Sequence, residues 1–322
     1  MNANTKPKVL VVTAIPPDLR AAFAGRCAIE DAAPDWPRMS ATGFPIVLTT
    51  SMRGMDAAML DALPDLKLVL CQGAGIDKLD LEEAHRRGIA VCHTPDELTE
   101  DVAEAAIALA FAIMRRIAEA DRFVRAGRWP KERVPPSTRV AGKIMGIVGL
   151  GRIGREIAHR AEAIGMDVLY FGRRVQPGVD YRFVPKLLDL AGEADVLMLS
   201  CPGGDATRNL VNEAVLARLG PKGYLINISR GSVVDEPALL DALENGTIAG
   251  AGLDVFASEP NIDSRFAALE NVVLEPHSSS ITHETRKAIV DRLLHDLDAF
   301  LSGRPYFDAA AQHARSRAQK KT

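Results

Sequence analysis

One stretch near the middle of the chain constrains the fold more than any other, K-I-M-G-I-V-G-L-G-R-I-G-R-E-I-A from Lys143. Ile144 to Val148 is an apolar, partly β-branched run of the kind found in buried parallel strands. A glycine-rich turn follows, and apolar residues then recur at helical spacing from Arg155 to Ile164. A second apolar run at 167–171 predicts another strand. The stretch therefore predicts a βαβ unit.

The glycines of the turn form the pattern G-x-G-x-x-G, and each has a physical role in such a unit. Gly149 permits the tight turn, Gly151 lets a pyrophosphate approach the backbone, and Gly154 lets the helix pack close to the strand. N–H groups at the helix start, at Arg152 and Ile153, face the anion with the positive end of the helix dipole. The pattern also arises by chance and in methyltransferases, but its place between two strands favours a dinucleotide site.

The end of the second strand indicates which dinucleotide is bound. An NAD site usually has Asp or Glu there, which bonds the ribose 2′-hydroxyl. This chain has Gly172, Arg173 and Arg174 instead. Two guanidinium groups suit a 2′-phosphate, because arginine forms paired hydrogen bonds with phosphate oxygens. The sequence therefore predicts NADP(H), and the alternative interpretation is a solvated basic turn.

Composition excludes several other classes. The formal net charge of −3 gives no argument for binding nucleic acid or a membrane surface. No apolar run is long enough to span a membrane, and the first residues lack the apolar core of a signal peptide. Four cysteines without a C-x-x-C pair predict neither a metal site nor disulfides, and we expect small buried thiols in a cytoplasmic protein.

The order of elements predicts an α/β protein with two Rossmann-like doubly wound parallel-sheet domains. One domain is discontinuous, with residues 1–98 and 288–322, and residues 99–287 form the dinucleotide-binding domain. One long helix over 99–125 is expected to join them, followed by an arm without periodicity at 127–142. Six strand candidates lie beyond residue 143. A closing helix over 282–301 precedes a polar tail, 312–322, that we expect to be disordered.

Three polar residues follow predicted strands of the second domain. Arg230 follows a strand in N-I-S-R-G-S, Glu259 lies in L-D-V-F-A-S-E-P, and His277 lies in L-E-P-H-S-S-S. Their types suit reduction of a 2-keto acid: arginine binds an anion or a keto oxygen, histidine gives a proton near neutral pH, and a carboxylate orients the histidine. A single arginine or glutamate in a loop is more often solvated surface, so the argument rests on their common placement at strand ends.

Taken together, these motifs resemble the D-isomer-specific 2-hydroxyacid dehydrogenases. The resemblance rests on G-L-G-R-I-G, N-I-S-R-G-S-V-V-D-E, G-L-D-V-F-x-x-E-P and P-H-x-x-S, and it covers residues 45–305. T-P-D-E-L-T-E-D-V-A-E and the arginine pair are similar to the NADPH-dependent glyoxylate/hydroxypyruvate reductase branch. The resemblance implies a homodimeric oxidoreductase that reduces a small 2-keto acid to a D-2-hydroxy acid by hydride transfer from NADPH.

The resemblance also implies roles for individual residues. The catalytic arginine, glutamate and histidine of the family fall on Arg230, Glu259 and His277. Substrate contacts fall on Met52 and on the loop Gly73, Ala74 and Gly75, whose backbone N–H groups would hold the substrate carboxylate. Cofactor contacts fall on Gly149, Gly151, Arg152, Ile153, Gly154, Arg173, Arg174, Pro202, Thr207, Ile228, Asp254 and Ser279. Among these, Asp254 would hold the nicotinamide carboxamide.

Three positions depart from the family pattern. Ser279 stands where a glycine is usual, and His93 stands where many members have asparagine. The tryptophan that some glyoxylate reductases send into the substrate pocket of the second subunit has no clear match, because Trp129 falls about one helical turn too early. The limit on substrate size therefore stays open.

Two other functions remain open at this point. One is reduction of a bulkier keto acid such as hydroxyphenylpyruvate. The other is nucleotide sensing without catalysis, as in the transcriptional corepressors that resemble this family, because fold alone does not separate the two classes. The intact set of Arg230, Glu259 and His277 favours an enzyme. The sequence indicates neither the keto acid that is used nor the direction of the reaction.

Overall fold

The computed structural model of the protein describes residues 6–319, and backbone contacts divide them into two compact units. One unit contains the described residues up to Leu98 and those from Thr282 onward, and the other contains Thr99–Ile281. The second boundary falls at Thr282, whereas the sequence-based division places it at 288. The described part of the chain contains no helix that is both long and apolar enough to cross a membrane.

The first unit contains a five-stranded parallel sheet. Its strands are β1 (Lys8–Val11), β2 (Ala28–Asp31), β3 (Ile46–Thr50), β4 (Leu68–Gln72) and β5 (Ala90–His93). The intervening helices are α1 (Pro17–Ala24), α2 (Ala57–Asp61) and α3 (Leu81–Arg86). The strand order is β2-β1-β3-β4-β5. The sequence analysis missed β2, because this edge strand is only partly buried and has no apolar alternation.

Both faces of this sheet are buried. On one face Val9 packs with Leu19 and Phe23 of α1, and on the other face Leu10 packs with Leu60 of α2. Strands covered on both faces are apolar throughout, which is why they are visible in the sequence as continuous apolar runs.

The second unit contains a seven-stranded sheet in which every neighbouring pair is parallel. Its helices are α4 (Thr99–Met114), α5 (Ile117–Arg125), α6 (Arg152–Ala163), α7 (Leu187–Glu193), α8 (Glu213–Leu219), α9 (Glu236–Glu244) and α10 (Arg265–Ala268). Its strands are β6 (Ile144–Val148), β7 (Asp167–Phe171), β8 (Arg182–Phe183), β9 (Val196–Leu199), β10 (Tyr224–Asn227), β11 (Gly250–Leu253) and β12 (Val272–Leu274). All six predicted strands are confirmed, and the short edge strand β8 was missed.

The strand order of the second sheet is β12-β11-β10-β9-β6-β7-β8. The chain runs from β6 outward through β7 and β8, then returns to the other side of β6 at β9. The topological switch point therefore lies between β6 and β9. Ligands of open α/β sheets bind outside the carboxyl ends of the strands at such a point, and the glycine turn follows β6 there.

The single long helix predicted over 99–125 is wrong. Arg116 adopts a left-handed conformation with φ 55°, and it separates α4 from α5. Its guanidinium binds the carboxylate of Glu119 in the first turn of α5, with N–O distances of 2.5 and 2.8 Å. No glycine or proline marks this break, so the helical spacing of apolar residues continues across it in the sequence.

The last two helices belong to the first unit. They are α11 (His283–Ser302) and α12 (Ala309–Gln319). The side chain of Thr282 caps α11 by accepting a hydrogen bond from the Thr285 N–H at 3.0 Å. The predicted disorder of the tail is wrong for residues 312–319, which lie in α12, and residues 320–322 lie outside the described residues. Ala309 and Ala310 are buried in the core of this unit, which holds α12 in place.

Candidate functional site

The glycine turn after β6 has the geometry expected of an anion site. Gly149 has φ 100°, and a Cβ there would lie 2.7 Å from the Cα of Cys201. A Cβ on Gly154 would lie 2.2 Å from the carbonyl oxygen of Gly149. Gly151 precedes α6, and a Cβ there would meet nothing within 4 Å. The turn is therefore closed on its protein side and open in front of the first N–H groups of α6, beginning with Arg152 and Ile153, where a pyrophosphate fits.

The segments after β9 and β10 lie along the same edge of the sheet. The hydroxyl of Ser200 donates to the carbonyl oxygen of Gly149 at 2.8 Å. Thr207 Oγ1 donates to the carbonyl oxygen of Pro202 at 2.8 Å, which orders the loop after β9. Ile228 is buried directly after β10. The predicted contacts Pro202 and Thr207 thus follow β9, the neighbour of β6, and Ile228 follows β10, the next strand along the sheet.

The loop after β7 carries an exposed pair of cations. Arg173 and Arg174 follow Gly172 and form no ion pair within residues 6–319. Tyr170, buried on β7, accepts a hydrogen bond from the Gln176 N–H at its hydroxyl oxygen at 2.9 Å. The loop therefore has a fixed base and two unneutralised guanidinium groups, which suits a 2′-phosphate.

The loops after β11 and β12 bring Glu259 and His277 together. Nδ1 of His277 lies 2.7 Å from Oε2 of Glu259. Oε1 of Glu259 accepts a hydrogen bond from the Phe256 N–H at 2.8 Å. The carboxylate is therefore held at both oxygens. The other ring nitrogen of His277, Nε2, makes no hydrogen bond to any described residue, and the side chain is 26% exposed, so this nitrogen can serve a ligand.

Opposing influences act on the carboxyl group of Glu259. Burial raises its pKa, but the hydrogen bonds from His277 and from the Phe256 N–H, with the charges of His277 and Arg230, bring the pKa below its usual range. Glu259 is therefore an anion at neutral pH, and its charge lies against the ring of His277.

His277 lies on a backbone that Asp254 holds in place. The N–H of His277 donates to the carbonyl oxygen of Asp254 at 2.9 Å. The buried carboxylate of Asp254 accepts hydrogen bonds from the N–H groups of Ser278 at 2.6 Å and Ser279 at 3.3 Å. Asp254 therefore positions the histidine loop, a role that the sequence analysis did not assign. Its predicted contact with the nicotinamide carboxamide stays a prediction.

Arg230 follows β10 in a loop that packs closely on the next one. A Cβ on Gly231 would lie 1.9 Å from the carbonyl carbon of Phe256, so only glycine permits this approach. The side chain of Asn227 donates to the carbonyl oxygen of Arg230 at 3.1 Å and accepts from the Ser229 N–H at 3.0 Å. Asn227 and Ser229 shape the arginine loop and were missed, although a buried asparagine at the end of an apolar strand is a usable signal.

The predicted substrate loop lies in the first unit, after β4. Gly73 has φ 114°, and its N–H donates to Oγ1 of Thr94 at 2.9 Å. That N–H is therefore engaged within the protein, so the expectation that all three amides hold an anion is corrected for Gly73. The N–H groups of Ala74 and Gly75 make no hydrogen bond within the described chain, and they remain as donors.

Two neighbouring side chains complete the description of this loop. Nδ1 of His93 lies 3.2 Å from the carbonyl oxygen of Ala74, so His93 supports the loop from beneath. Met52, in the turn after β3, is 48% exposed and can contact a ligand.

The remaining predictions concern cysteines, metal and Trp129. All four cysteines are free and buried as expected, and burial raises the pKa of Cys27 and of Cys201 to about 11. Within residues 6–319 no three His, Cys, Asp or Glu side chains form a metal-binding group. Trp129 lies on the arm after α5 and is 61% exposed.

Comparisons with known proteins agree with this geometry. Residues 107–279 match the model of the D-isomer specific 2-hydroxyacid dehydrogenase, NAD binding domain. A hydroxyphenylpyruvate reductase of Plectranthus scutellarioides is 44% identical over 271 residues, which cover 84% of this chain and 87% of the relative. The glyoxylate/hydroxypyruvate reductase A HPR2 of Arabidopsis thaliana is 45% identical over 258 residues, covering 80% and 82%.

A solved structure has the same fold. The NADPH-dependent glyoxylate/hydroxypyruvate reductase of Sinorhizobium meliloti, in complex with NADP and malonate, superimposes with a TM-score of 0.85 at 38% identity. The superposition covers 92% of this chain and 94% of that one.

Proposed function

The chain belongs to the D-isomer-specific 2-hydroxyacid dehydrogenase family, and we propose that it reduces a small 2-keto acid to a D-2-hydroxy acid with NADPH. It is an oxidoreductase, as its family is. The observation that carries the proposal is the hydrogen bond between Glu259 and His277. Arg230 lies close enough to this pair for the arginine charge to lower the pKa of Glu259. The retained set of Arg230, Glu259 and His277 favours an enzyme over a corepressor-like protein without catalysis.

The residues at the strand ends can perform the proton-transfer part of the reaction. Arg230 binds the substrate carboxylate and polarises the keto oxygen. His277 donates the proton from Nε2 to that oxygen, and Glu259 stabilises the imidazolium through Nδ1. NADPH, when bound, supplies the hydride that the keto carbon accepts. The N–H groups of Ala74 and Gly75, with Met52 nearby, are proposed as further substrate contacts.

The cofactor assignment rests on the glycine turn and the arginine pair. Gly149, Gly151 and Gly154 leave room for the pyrophosphate, and the exposed Arg173 and Arg174 would bind the 2′-phosphate. The remaining cofactor contacts are proposed as predicted: Arg152, Ile153, Pro202, Thr207, Ile228, Asp254 and Ser279.

We propose glyoxylate or hydroxypyruvate as the substrate type. The Arabidopsis and Sinorhizobium relatives bear these names. The Plectranthus relative, named for hydroxyphenylpyruvate, supports a bulkier acid as the second candidate. The exposed, flexible side chain of Met52 is compatible with either size.

We also propose a cytoplasmic homodimer that associates through the second unit. Four large apolar side chains of α5 and the following arm are exposed: Ile117, Val124, Trp129 and Val134. Exposed apolar groups that cluster along one segment are typical of an interface. Sedimentation equilibrium of Trp129→Asp should show a shift toward monomer, and an unchanged dimer would exclude this surface.

The reaction is tested by NADPH oxidation with glyoxylate in the wild type and in Arg230→Gln. We expect kcat/KM to fall about a hundredfold or more in the variant, because a charge-assisted contact acts in both binding and the transition state. Arg304→Gln, at an exposed position in the first unit, serves as the matched control. Equal activity of Arg230→Gln and the control would refute the assignment.

A further inference from the structure

A separate pocket lies in the first unit, at the carboxyl edge of its sheet. Its volume is about 340 Å³, and it is lined by residues that follow β1 and β2, together with Trp36 and Arg53. The strand order β2-β1-β3-β4-β5 places a topological switch point between β1 and β3, where ligands of such sheets bind. The pocket contains no residue of the predicted substrate loop.

Arg53 is the unneutralised charge of this pocket. Its guanidinium lies 6.0 Å from the centroid of the Trp36 ring, and it forms no ion pair with any residue between 6 and 319. Asp31 is the acidic side chain in the lining, and it is already paired with Arg20. The pocket therefore has a net positive charge, which attracts an anion.

Trp36 contributes an aromatic ring to the wall of the pocket. The side chain lies in the wall of the pocket, the residue is only 8% exposed, and its indole Nε1 has no hydrogen-bond partner in the described chain. Buried indole N–H groups are normally paired. This nitrogen is buried although the pocket is open, so Trp36 contributes its ring to the pocket wall and not its N–H group.

The turn that carries Arg53 packs on the loop after β4. The Ser51 N–H donates to the carbonyl oxygen of Gln72 at 2.9 Å, and a Cβ on Gly73 would lie 2.4 Å from Oγ of Ser51. Arg53 in turn donates its N–H to the carbonyl oxygen of Thr50 at 3.1 Å. The turn that carries Arg53 is thus held against the end of the sheet by these contacts.

We propose that this pocket binds a small organic anion, with its carboxylate or phosphate group on Arg53 and its carbon skeleton against the ring of Trp36. Arginine binds either group through paired hydrogen bonds, and the aromatic face packs against the carbon skeleton. The site shares no residue with Arg230, Glu259 and His277, and it does not depend on the proposed reaction.

The two tryptophans of the chain make the test direct. Trp129→Phe leaves Trp36 as the single tryptophan fluorophore. This protein is titrated with succinate, with inorganic phosphate and with neutral 1,4-butanediol at constant ionic strength. We expect a saturable change in emission with succinate or phosphate and none with the diol, and the responsive anion identifies the group that is bound.

Variants of Arg53 assign the signal to the pocket. Arg53→Met should weaken the apparent affinity about tenfold or more, because it removes a charge-assisted contact, and Arg53→Lys should retain part of it. Arg38→Met, at an exposed position outside the lining, should bind as the parent does.

Three results would overturn the proposal. They are the lack of any saturable response, equal binding by Arg53→Met and Arg38→Met, and a response that Arg230→Gln abolishes while Arg53→Met keeps it. The last result would place the anion at the catalytic centre instead.

Discussion

His277 has a left-handed backbone with φ 53°, and its Nδ1 lies 2.7 Å from Oε2 of Glu259. A residue other than glycine rarely adopts this conformation without surrounding support. Here the support comes from Asp254, whose carbonyl and carboxylate oxygens accept the N–H groups of His277 and of the next two residues. The proposed proton donor is therefore fixed both through its backbone and through its ring.

Two substitutions of His277 should separate its chemical role from its backbone role. His277→Asn and His277→Ala should both lower kcat by roughly 10²- to 10⁴-fold, because each removes the general acid. Asparagine tolerates a left-handed backbone better than alanine, so Asn should keep the wild-type Tm and Ala should lower it. NADPH affinity, measured by fluorescence titration, should change little in either variant. Wild-type kcat in His277→Asn would contradict the role.

Replacing Glu259 should change the pH dependence of both rate and stability. Glu259→Gln removes the negative charge beside the ring of His277. The alkaline limb of the pH–rate profile, where activity declines as pH rises, should therefore move to lower pH. Because the pKa of Glu259 is lowered on folding, its stabilising contribution is present above the unfolded value of about 4.3 and is lost as pH falls through the folded value. The Tm difference between wild type and variant should therefore shrink in strong acid. Identical pH–rate profiles would disprove the pairing.

The arginine pair after β7 should determine cofactor preference. In Arg173→Ala/Arg174→Ala, KM for NADPH should rise about tenfold or more, because charge-assisted bonds to the 2′-phosphate are lost. KM for NADH, which lacks this phosphate, should change much less. Steady-state rates with both cofactors measure the split. A wild type that uses NADH and NADPH equally well would contradict the assignment.

Tyr170 should affect the same preference without contacting the cofactor. Its buried hydroxyl holds the Gln176 N–H, and Tyr170→Phe frees that end of the basic loop while its ring remains in the core. KM for NADPH should rise, kcat should stay near the wild-type value, and the double arginine variant should be insensitive to the added Tyr170→Phe. If Tyr170→Phe raised KM for NADPH equally in the double arginine variant, the substitution would be acting through a general loss of structure.

Continuous apolar runs made most of the strands predictable. Strands β6 and β9 are buried along almost their whole length and β7 is buried at its centre, and their apolar composition reflects this burial. The edge strands β2 and β8 were missed because exposed or very short strands leave no such run. The break at Arg116 was missed because neither glycine nor proline marks it, and the ion pair of Arg116 with Glu119 is not visible in the spacing of apolar residues.

The candidate site was predictable in its residue types but not in its supporting contacts. Arg230, Glu259 and His277 follow strands, and strand ends of a parallel sheet share one edge. The hydrogen bond from the Gly73 N–H to Thr94 joins residues that follow two different strands, so no local sequence pattern indicates it. Helix α12 had a usable signal, because alanine, glutamine and arginine favour helices, but its two buried alanines are visible only in the packed structure.

The central claim is most directly tested by kcat/KM of the wild type for hydroxypyruvate and for 4-hydroxyphenylpyruvate, both at saturating NADPH, with chiral analysis of the products. The account predicts the higher kcat/KM with hydroxypyruvate and formation of the D-2-hydroxy acid. A higher kcat/KM for 4-hydroxyphenylpyruvate would contradict the assigned substrate type, and no turnover of either acid would contradict the assignment as a 2-keto acid reductase.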